Sequence, residues 1–144
     1  MLTGGLVAGI CDITYACLFH GIKSGTAPAR VLQSVAAGLL GKPASFQGGA
    51  RTATLGLVLH FFIALSMALT YWAVARNWPL LWRKWLPCGA FYGLLLFGIM
   101  NYVVIPLSAT TGGSRDPVWL VLSILVHMFL IGVPIAYFVR RALG

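Results

Sequence analysis

The sequence predicts an all-α membrane protein in which four transmembrane helices form a compact antiparallel bundle. Hydrophobic residues make up 60% of the 144 residues and charged residues only 8%, whereas a soluble domain carries about 25% charged residues. Four apolar segments are each long enough to cross a bilayer, which takes about 20 residues of α-helix. The chain has two acidic residues, Asp12 and Asp116, so lipid rather than water is expected to cover its surface.

The four apolar segments divide the chain into spans and connections. They cover about residues 4–22, 52–75, 87–107 and 118–139, and residues 1–144 are predicted to form a single transmembrane domain. The N-terminus lies on one side of the membrane, which we call side A. The opposite side is called side B. The first and third segments then run from side A to side B, and the second and fourth run back.

A short extra helix is predicted in the connection between the first two segments, over about residues 26–40. Thr26 is a candidate N-cap and Pro28 falls in the first turn. Val31, Val35 and Leu39 share one face of this helix. At about 14 residues it is too short to span the bilayer, so it is expected to lie in the membrane interface or to re-enter the membrane.

The second connection is rich in tryptophan and basic residues. Trp78, Trp82 and Trp85 have a spacing that places them on one face of a helix, with Arg83 and Lys84 between them. Amphipathic rings beside basic side chains are typical of the headgroup region. These five residues are therefore predicted to anchor the chain at the membrane interface. The alternative is that the rings pack against the end of the bundle.

The third connection contains a predicted turn at Gly112-Gly113. Asp116 and Pro117 then have the residue types of an N-cap and a first helical position, which gives Asp116 a structural role.

Basic residues lie at both sides of the membrane. Those at side A are close to helix ends in short segments, where they determine orientation, so both termini are expected in the cytoplasm. Side A holds Arg76, Arg83, Lys84, Arg140 and Arg141, and side B holds Lys23, Arg30, Lys42, Arg51 and Arg115.

Small residues recur four apart in the half of each segment that lies towards side A. Such pairs let helix backbones approach closely in lipid, so the bundle is predicted to be tight towards side A and looser towards side B. The pairs are Gly5 and Gly9, Ala64 and Ala68, Gly89 and Gly93, and Gly132 and Ala136.

Each segment also places one strongly polar residue at membrane depth. Asp12, His60, Asn101 and His127 all lie about 9–15 Å from side B when counted along the helices. On a regular helix, Gly132 and Ala136 point nearly opposite His127. The small-residue face of the fourth segment is therefore expected to meet another subunit.

Three interpretations of this polar layer are open. The four side chains can hydrogen-bond across the bundle and fix its register. They can form a path for protons or a small solute, with Asp12 and the histidines as a relay. His60 and His127 can also be ligands of haem b or of a metal.

Several other classes of function are disfavoured. No nucleophile is recognisably paired with a base, so no enzyme is predicted. The basic residues flank apolar segments and form no basic stripe, which argues against nucleic-acid binding. Cys11, Cys17 and Cys88 match no metal-site spacing and are expected to be free, apolar in behaviour and without a bound cofactor.

Three stretches resemble a known group of small bacterial inner-membrane proteins. They are 56–61 (GLVLHF), 100–109 (MNYVVIPLSA) and the motif from His127 to Ala136, and they are similar to the YagU-like proteins. The resemblance covers most of the chain through its four-helix layout. It implies a multi-pass protein of the bacterial inner membrane with His60, Asn101 and His127 at the positions that the family pattern marks, and it implies no activity.

Together these features predict an accessory or structural subunit of a larger membrane assembly, or a homo-oligomer, with the lipid bilayer and other membrane subunits as partners. A proton or small-solute transporter centred on Asp12 is the first alternative, and a haem b or metal-binding membrane protein is the second.

Overall fold

The structure, a computed structural model, describes residues 2–110 and 116–144. The predicted Gly112-Gly113 turn and Arg115 lie outside these ranges. The described residues form seven helices, α1 (Leu2–Ser24), α2 (Pro28–Leu40), α3 (Lys42–Gln47), α4 (Gly49–Ala75), α5 (Leu80–Arg83), α6 (Trp85–Leu107) and α7 (Pro117–Leu143).

Four of these helices, α1, α4, α6 and α7, are long and apolar enough to cross a membrane. The prediction of an all-α, multi-pass membrane protein is confirmed, and each helix extends the predicted segment by a few residues at one or both ends. α1 packs against α4 and α7, and α6 packs against α7. Tyr92 on α6 also reaches α4, where its hydroxyl donates a hydrogen bond to the Met67 carbonyl oxygen at 2.8 Å.

The core lies in the half of the helices towards side A. The buried residues of α1 are Gly4, Gly5, Ala8 and Gly9, all in its first turns. Near side B, the first ten residues of α7 make few contacts with α1 and α6. The contacts of α7 with α1 and α6 are therefore closer towards side A. The core residues are Ala8, Ala68, Tyr71, Ala75, Leu96, Val126, Ile131, Ile135, Ala136 and Val139.

The predicted small residues make the closest helix contacts. A Cβ atom at Gly9 of α1 would lie 2.9 Å from the Phe61 ring and 3.2 Å from the Ala64 Cβ atom of α4. A Cβ atom at Gly93 of α6 would overlap the His127 carbonyl of α7, and one at Gly132 would overlap the Gly89 carbonyl of α6. These backbones touch because glycine has no side chain to separate them.

The expectation that Gly132 and Ala136 face another subunit is wrong, because both pack against Gly89 of α6. The physical reason is a change in helical winding. Residues His127–Gly132 form a π-helical segment. In such a segment the backbone hydrogen bonds join residues that are five apart in sequence. His127 and Gly132 therefore come to the same side of α7, whereas a regular α-helix would separate them.

A second π-helical segment occupies Met100–Val104 of α6 and includes Asn101. Each π segment ends two residues before a proline, Pro106 in α6 and Pro134 in α7. Proline donates no backbone hydrogen bond, and its ring collides with the carbonyl one turn earlier in a regular helix. A wider turn relieves that collision and leaves the helix continuous.

The short helix α2 packs against the start of α4. The Leu32 carbonyl lies so close to Gly56 that a Cβ atom there would overlap it. Gln33 and Thr52 are joined at 3.4 Å, and Ser45 donates to the Gln33 carbonyl at 2.5 Å. The predicted N-cap at Thr26 is wrong, since Ala27 occupies that position without a side-chain bond. The Thr26 hydroxyl pairs with Ser24 instead, at 2.8 Å.

The tryptophans of the second connection do not share one helical face. α5 ends at Arg83, and the backbone breaks at Lys84 before α6 begins, so the spacing does not lie on a continuous helix. Trp85 packs against the core and meets the Tyr137 ring at 5.3 Å, which fits the alternative of packing against the bundle end. Trp78 is 56% exposed.

Candidate proton-binding pair between two helices

Asp12 and His60 face each other near the middle of α1 and α4. The two helices approach closely at Gly5 and Gly9, which brings the His60 ring against the α1 backbone. Its Nε2 atom lies 2.8 Å from the Gly9 carbonyl oxygen. Its Nδ1 atom lies 4.0 Å from Oδ2 of Asp12. One imidazole therefore contacts α1 through both of its nitrogen atoms.

The Gly9 contact fixes the protonation pattern of the His60 ring. A carbonyl oxygen only accepts hydrogen bonds, so Nε2 of His60 carries a hydrogen and donates it. In a neutral imidazole the Nδ1 atom is then an acceptor, and it faces the Asp12 carboxylate. The Nδ1 atom of His60 and the Asp12 carboxylate thus face each other at 4.0 Å, a distance longer than a hydrogen bond.

The Asp12 carboxylate accepts no hydrogen bond from any residue within 2–110 and 116–144, and its side chain is 30% exposed. The His60 side chain is 12% exposed. An ionised carboxylate at membrane depth is costly without a partner. Asp12 and His60 therefore form the candidate site of the span.

Asn101 and His127 lie apart from the pair in their hydrogen bonding. The Asn101 amide donates to the Phe97 carbonyl of its own helix at 2.9 Å. Nδ1 of His127 donates to the Ser123 carbonyl of its own helix at 2.8 Å. The Phe97 ring packs edge-on against the His127 ring, with centroids 5.5 Å apart. The structure thus joins two members of the predicted polar layer and satisfies the other two locally.

Aromatic residues connect α1 and α7 in the region between Asp12 and side B. The rings of Tyr15 and Trp119 stack with centroids 5.0 Å apart, and the Tyr15 hydroxyl donates to the Trp119 carbonyl at 3.4 Å. Further out, Lys23 of α1 forms an ion pair with Asp116 of α7. These contacts between α1 and α7 were not predicted from the sequence, because spacing along one helix does not show which residues of another helix it meets.

The positions of the histidine nitrogens bear on the haem hypothesis. Nε2 of His60 is bonded to Gly9 and Nδ1 faces Asp12, so ligation would require one of these contacts to break. No group of three or more His, Cys, Asp or Glu side chains able to hold a metal occurs among the described residues. Haem ligation by His60 would therefore have to displace its contact with Gly9 or with Asp12.

No known protein family, curated protein or solved structure matches this chain. The class of the protein rests on its four apolar helices, which make it a multi-pass membrane protein.

Proposed function

We propose that this membrane protein carries protons, alone or together with a small solute, along a path centred on Asp12 and His60. The observation that supports the proposal is the distance of 4.0 Å between the Asp12 carboxylate and the Nδ1 atom of His60. Histidine exchanges protons near neutral pH, and ionisable groups inside a span are typical of proton relays. The exposed part of Asp12 offers the pair a way to exchange its proton.

Access to the pair is proposed to come from side B. The buried residues of α1 end at Gly9, so the part of α1 beyond Asp12 is not enclosed. Asn101 and His127 lie in the π-helical segments of α6 and α7, and such segments are frequent at functional sites. The Tyr15–Trp119 stack lies between Asp12 and side B and would control entry.

The proposed setting is the bacterial inner membrane, with both termini in the cytoplasm. The basic residues close to the helix ends at side A support this orientation. α2 is proposed to re-enter the membrane from side B, because it packs against Gly56 in the second turn of α4 and is too short to span. Its buried residues, Val31, Gln33, Ala36 and Ala37, then face α4.

The test is proton flux into liposomes that hold the purified protein and a pH-sensitive dye. The wild type is expected to dissipate a pH gradient, and Asp12→Asn and His60→Leu are expected to reduce the flux to that of empty liposomes. Asp116→Asn is the matched control, because it removes the other acidic residue at the end of the span. Circular dichroism and elution in detergent check that each variant is folded. Wild-type flux in Asp12→Asn, or no flux in the wild type, would refute the proposal.

A second candidate function is that of a subunit in a larger assembly or a homo-oligomer. The supporting observation is the exposed apolar face of α6, where Phe91 is 69% and Tyr102 is 79% exposed and a Cβ atom at Gly98 would meet nothing within 4 Å. Gly98→Cys, introduced into a variant without the three native cysteines, tests this. Disulfide formation in native membranes would support pairing through this face, and a monomer that stays uncrosslinked there would exclude it.

A further inference from the structure

The basic residues at side A have no acidic side chain near them among the described residues. The two acidic residues of the sequence are Asp12 and Asp116. Asp12 lies beside His60 within the span, and Asp116 pairs with Lys23 at side B. The positive charges at side A are therefore not neutralised by acidic side chains. They are Arg76, Arg83, Lys84, Arg140 and Arg141.

A cavity lies among these basic residues, at the junction of α5 and the end of α7. It has a volume of about 580 Å³, within the range of small-ligand sites, about 300–1,000 Å³. Its lining residues are Trp82, Tyr137, Arg140, Arg141 and Gly144. Two guanidinium groups, one phenol and one indole thus surround the same space, and no acidic side chain contributes to its wall.

The α7 wall of the cavity is held in place by the core. Ile135 and Val139 are fully buried, which fixes the turns that carry Tyr137 and Arg140. The Arg140 guanidinium lies 5.7 Å from the centroid of the Trp85 ring, and Tyr137 packs against the same ring. Cation–π contact orients the guanidinium without neutralising its charge.

The α5 wall is also fixed. The Tyr71 hydroxyl of α4 donates to the Leu81 carbonyl of α5 at 2.9 Å. A Cβ atom at Gly144 would lie 3.2 Å from the Trp82 ring, so the indole packs against Gly144 on this side of the cavity. The cavity is therefore preformed, and a ligand would bind without first ordering its walls.

We propose that this cavity binds the phosphate group of an anionic phospholipid. A guanidinium group can donate two parallel hydrogen bonds to phosphate, and Arg140 and Arg141 are adjacent to each other and exposed. The C-terminus of α7 contributes about half a negative charge, and the two guanidinium groups outweigh it. The site is independent of Asp12 and His60, so it stands or falls separately from proton transport.

The location at the end of the span selects a lipid over a soluble ligand. Basic pockets between transmembrane helices on the cytoplasmic side bind phospholipid headgroups, and tryptophan and tyrosine are favoured at this level. The rings of Trp82 and Tyr137 would contact the glycerol and upper acyl region of the lipid, while Arg140 and Arg141 hold its phosphate.

The experiment is native mass spectrometry of the purified protein with phosphatidylglycerol, phosphatidylcholine or inorganic phosphate. The wild type is expected to retain one phosphatidylglycerol in preference to phosphatidylcholine. Each arginine near the headgroups contributes about 1 kcal/mol, so Arg140→Gln together with Arg141→Gln should weaken phosphatidylglycerol binding about 30-fold. Arg51→Gln together with Arg76→Gln removes the same charge outside the cavity and should leave the preference unchanged.

Arg140→Lys keeps the charge but not the bidentate geometry, and it should give intermediate retention. Retention of inorganic phosphate with the same arginine dependence would assign the site to free phosphate, whereas retention of lipid that phosphate does not displace assigns it to the headgroup. Equal loss in the cavity and control variants would overturn the proposal, because it would show a response to overall charge. A wild type with no preference would also overturn it.

Discussion

The His60 ring holds α4 to α1 through two different residues, with Nε2 at 2.8 Å from the Gly9 carbonyl oxygen and Nδ1 at 4.0 Å from Oδ2 of Asp12. The first contact is a hydrogen bond, and the second is longer than a hydrogen bond. A proton at Nδ1 or on Asp12 would therefore be expected to draw the two groups together, and its loss would leave only the Gly9 bond. The packing of the helices and the chemistry of the pair are thus separable.

This separation predicts different effects on stability and on transport. His60→Leu removes one interhelical hydrogen bond, and such bonds are worth about 0.6 kcal/mol on average in a membrane protein, at most about 1.7. Asp12→Asn removes no described hydrogen bond and should change stability less. Unfolding in mixed detergent micelles measures both. If Asp12→Asn prevents folding, the carboxylate is a structural element and the loss of flux in that variant would carry no functional meaning.

The tautomer of His60 is a second prediction. Nitrogen-15 chemical shifts of the labelled ring should show the hydrogen on Nε2 in the neutral form, because the Gly9 carbonyl only accepts. His127 should show the opposite tautomer, with its hydrogen on Nδ1, since that atom donates to the Ser123 carbonyl. The two rings are therefore controls for each other. The same tautomer at both positions would contradict the described geometry.

The contact between α6 and α7 gives a third prediction. Gly93→Ala would place a methyl group onto the His127 carbonyl, and Gly132→Ala would place one onto the Gly89 carbonyl. Overpacking of this kind costs about 1–3 kcal/mol, and here the atoms that must move are backbone atoms. Both variants should unfold at lower denaturant concentration and show reduced protection of α7 amides in hydrogen exchange.

The control for that prediction is Gly98→Ala in the same helix. A Cβ atom at Gly98 would meet nothing within 4 Å, and alanine is about 0.5–1 kcal/mol better than glycine within a helix. Gly98→Ala should therefore be neutral or stabilising. Similar destabilisation in all three variants would show that the glycines matter for helix flexibility rather than for contact.

The sequence was sufficient to predict the four long helices, because long apolar segments indicate spans directly. Small residues spaced four apart are typical of close helix contacts, and Gly5, Gly9 and Gly93 lie where helices approach closely. The face of Gly132 could not be derived in the same way. The prediction used a regular helical period, and the π segment at His127–Gly132 rotates the residues after it. Pro134, seven residues after His127, was the available signal of irregular winding.

The sequence could name the residues of the candidate site, but it could not show which of them contact each other. Counting residues along each helix placed Asp12, His60, Asn101 and His127 at similar depth, but depth does not determine which side chains meet. That depends on rotation and on local bonds, such as the one from Asn101 to the Phe97 carbonyl. His60 meets Asp12 because of how α4 packs against α1, which the sequence of either helix alone does not show.

The docking of α2 gives a fourth prediction. Gly56→Ala would place a methyl group onto the Leu32 carbonyl, so α2 must move away from α4. Hydrogen exchange in α2 should then increase, and the buried contact between Gln33 and Thr52 should weaken with it. Gly38→Ala is the control within α2, since its Cβ atom would lie 3.7 Å from the Ser108 Cβ atom, an ordinary contact. Unchanged exchange in Gly56→Ala would show that α2 is not held by this contact.

The junction of α1 and α7 at side B allows a final prediction, because Asp116 has two separable roles there. Its Oδ1 atom accepts hydrogen bonds from the backbone of Val118 at 2.9 Å and of Trp119 at 3.4 Å, as predicted for an N-cap. Its Oδ2 atom pairs with Lys23. Asp116→Asn keeps a capping oxygen and removes the charge, whereas Asp116→Ala removes both.

The side chains of Lys23 and Asp116 are 49% and 21% exposed, and exposed ion pairs contribute about 0–1 kcal/mol. Asp116→Asn and Lys23→Gln should therefore each lower the free energy of unfolding only slightly. High salt should reduce the difference in unfolding free energy between each variant and the wild type. Asp116→Ala should cost about 1 kcal/mol more, because the first turn of α7 loses its cap. An equal loss of stability in Asp116→Asn and Asp116→Ala would show that the whole effect comes from the charge of Asp116. A double-mutant cycle with Lys23→Gln would then measure how much of that charge effect acts through Lys23.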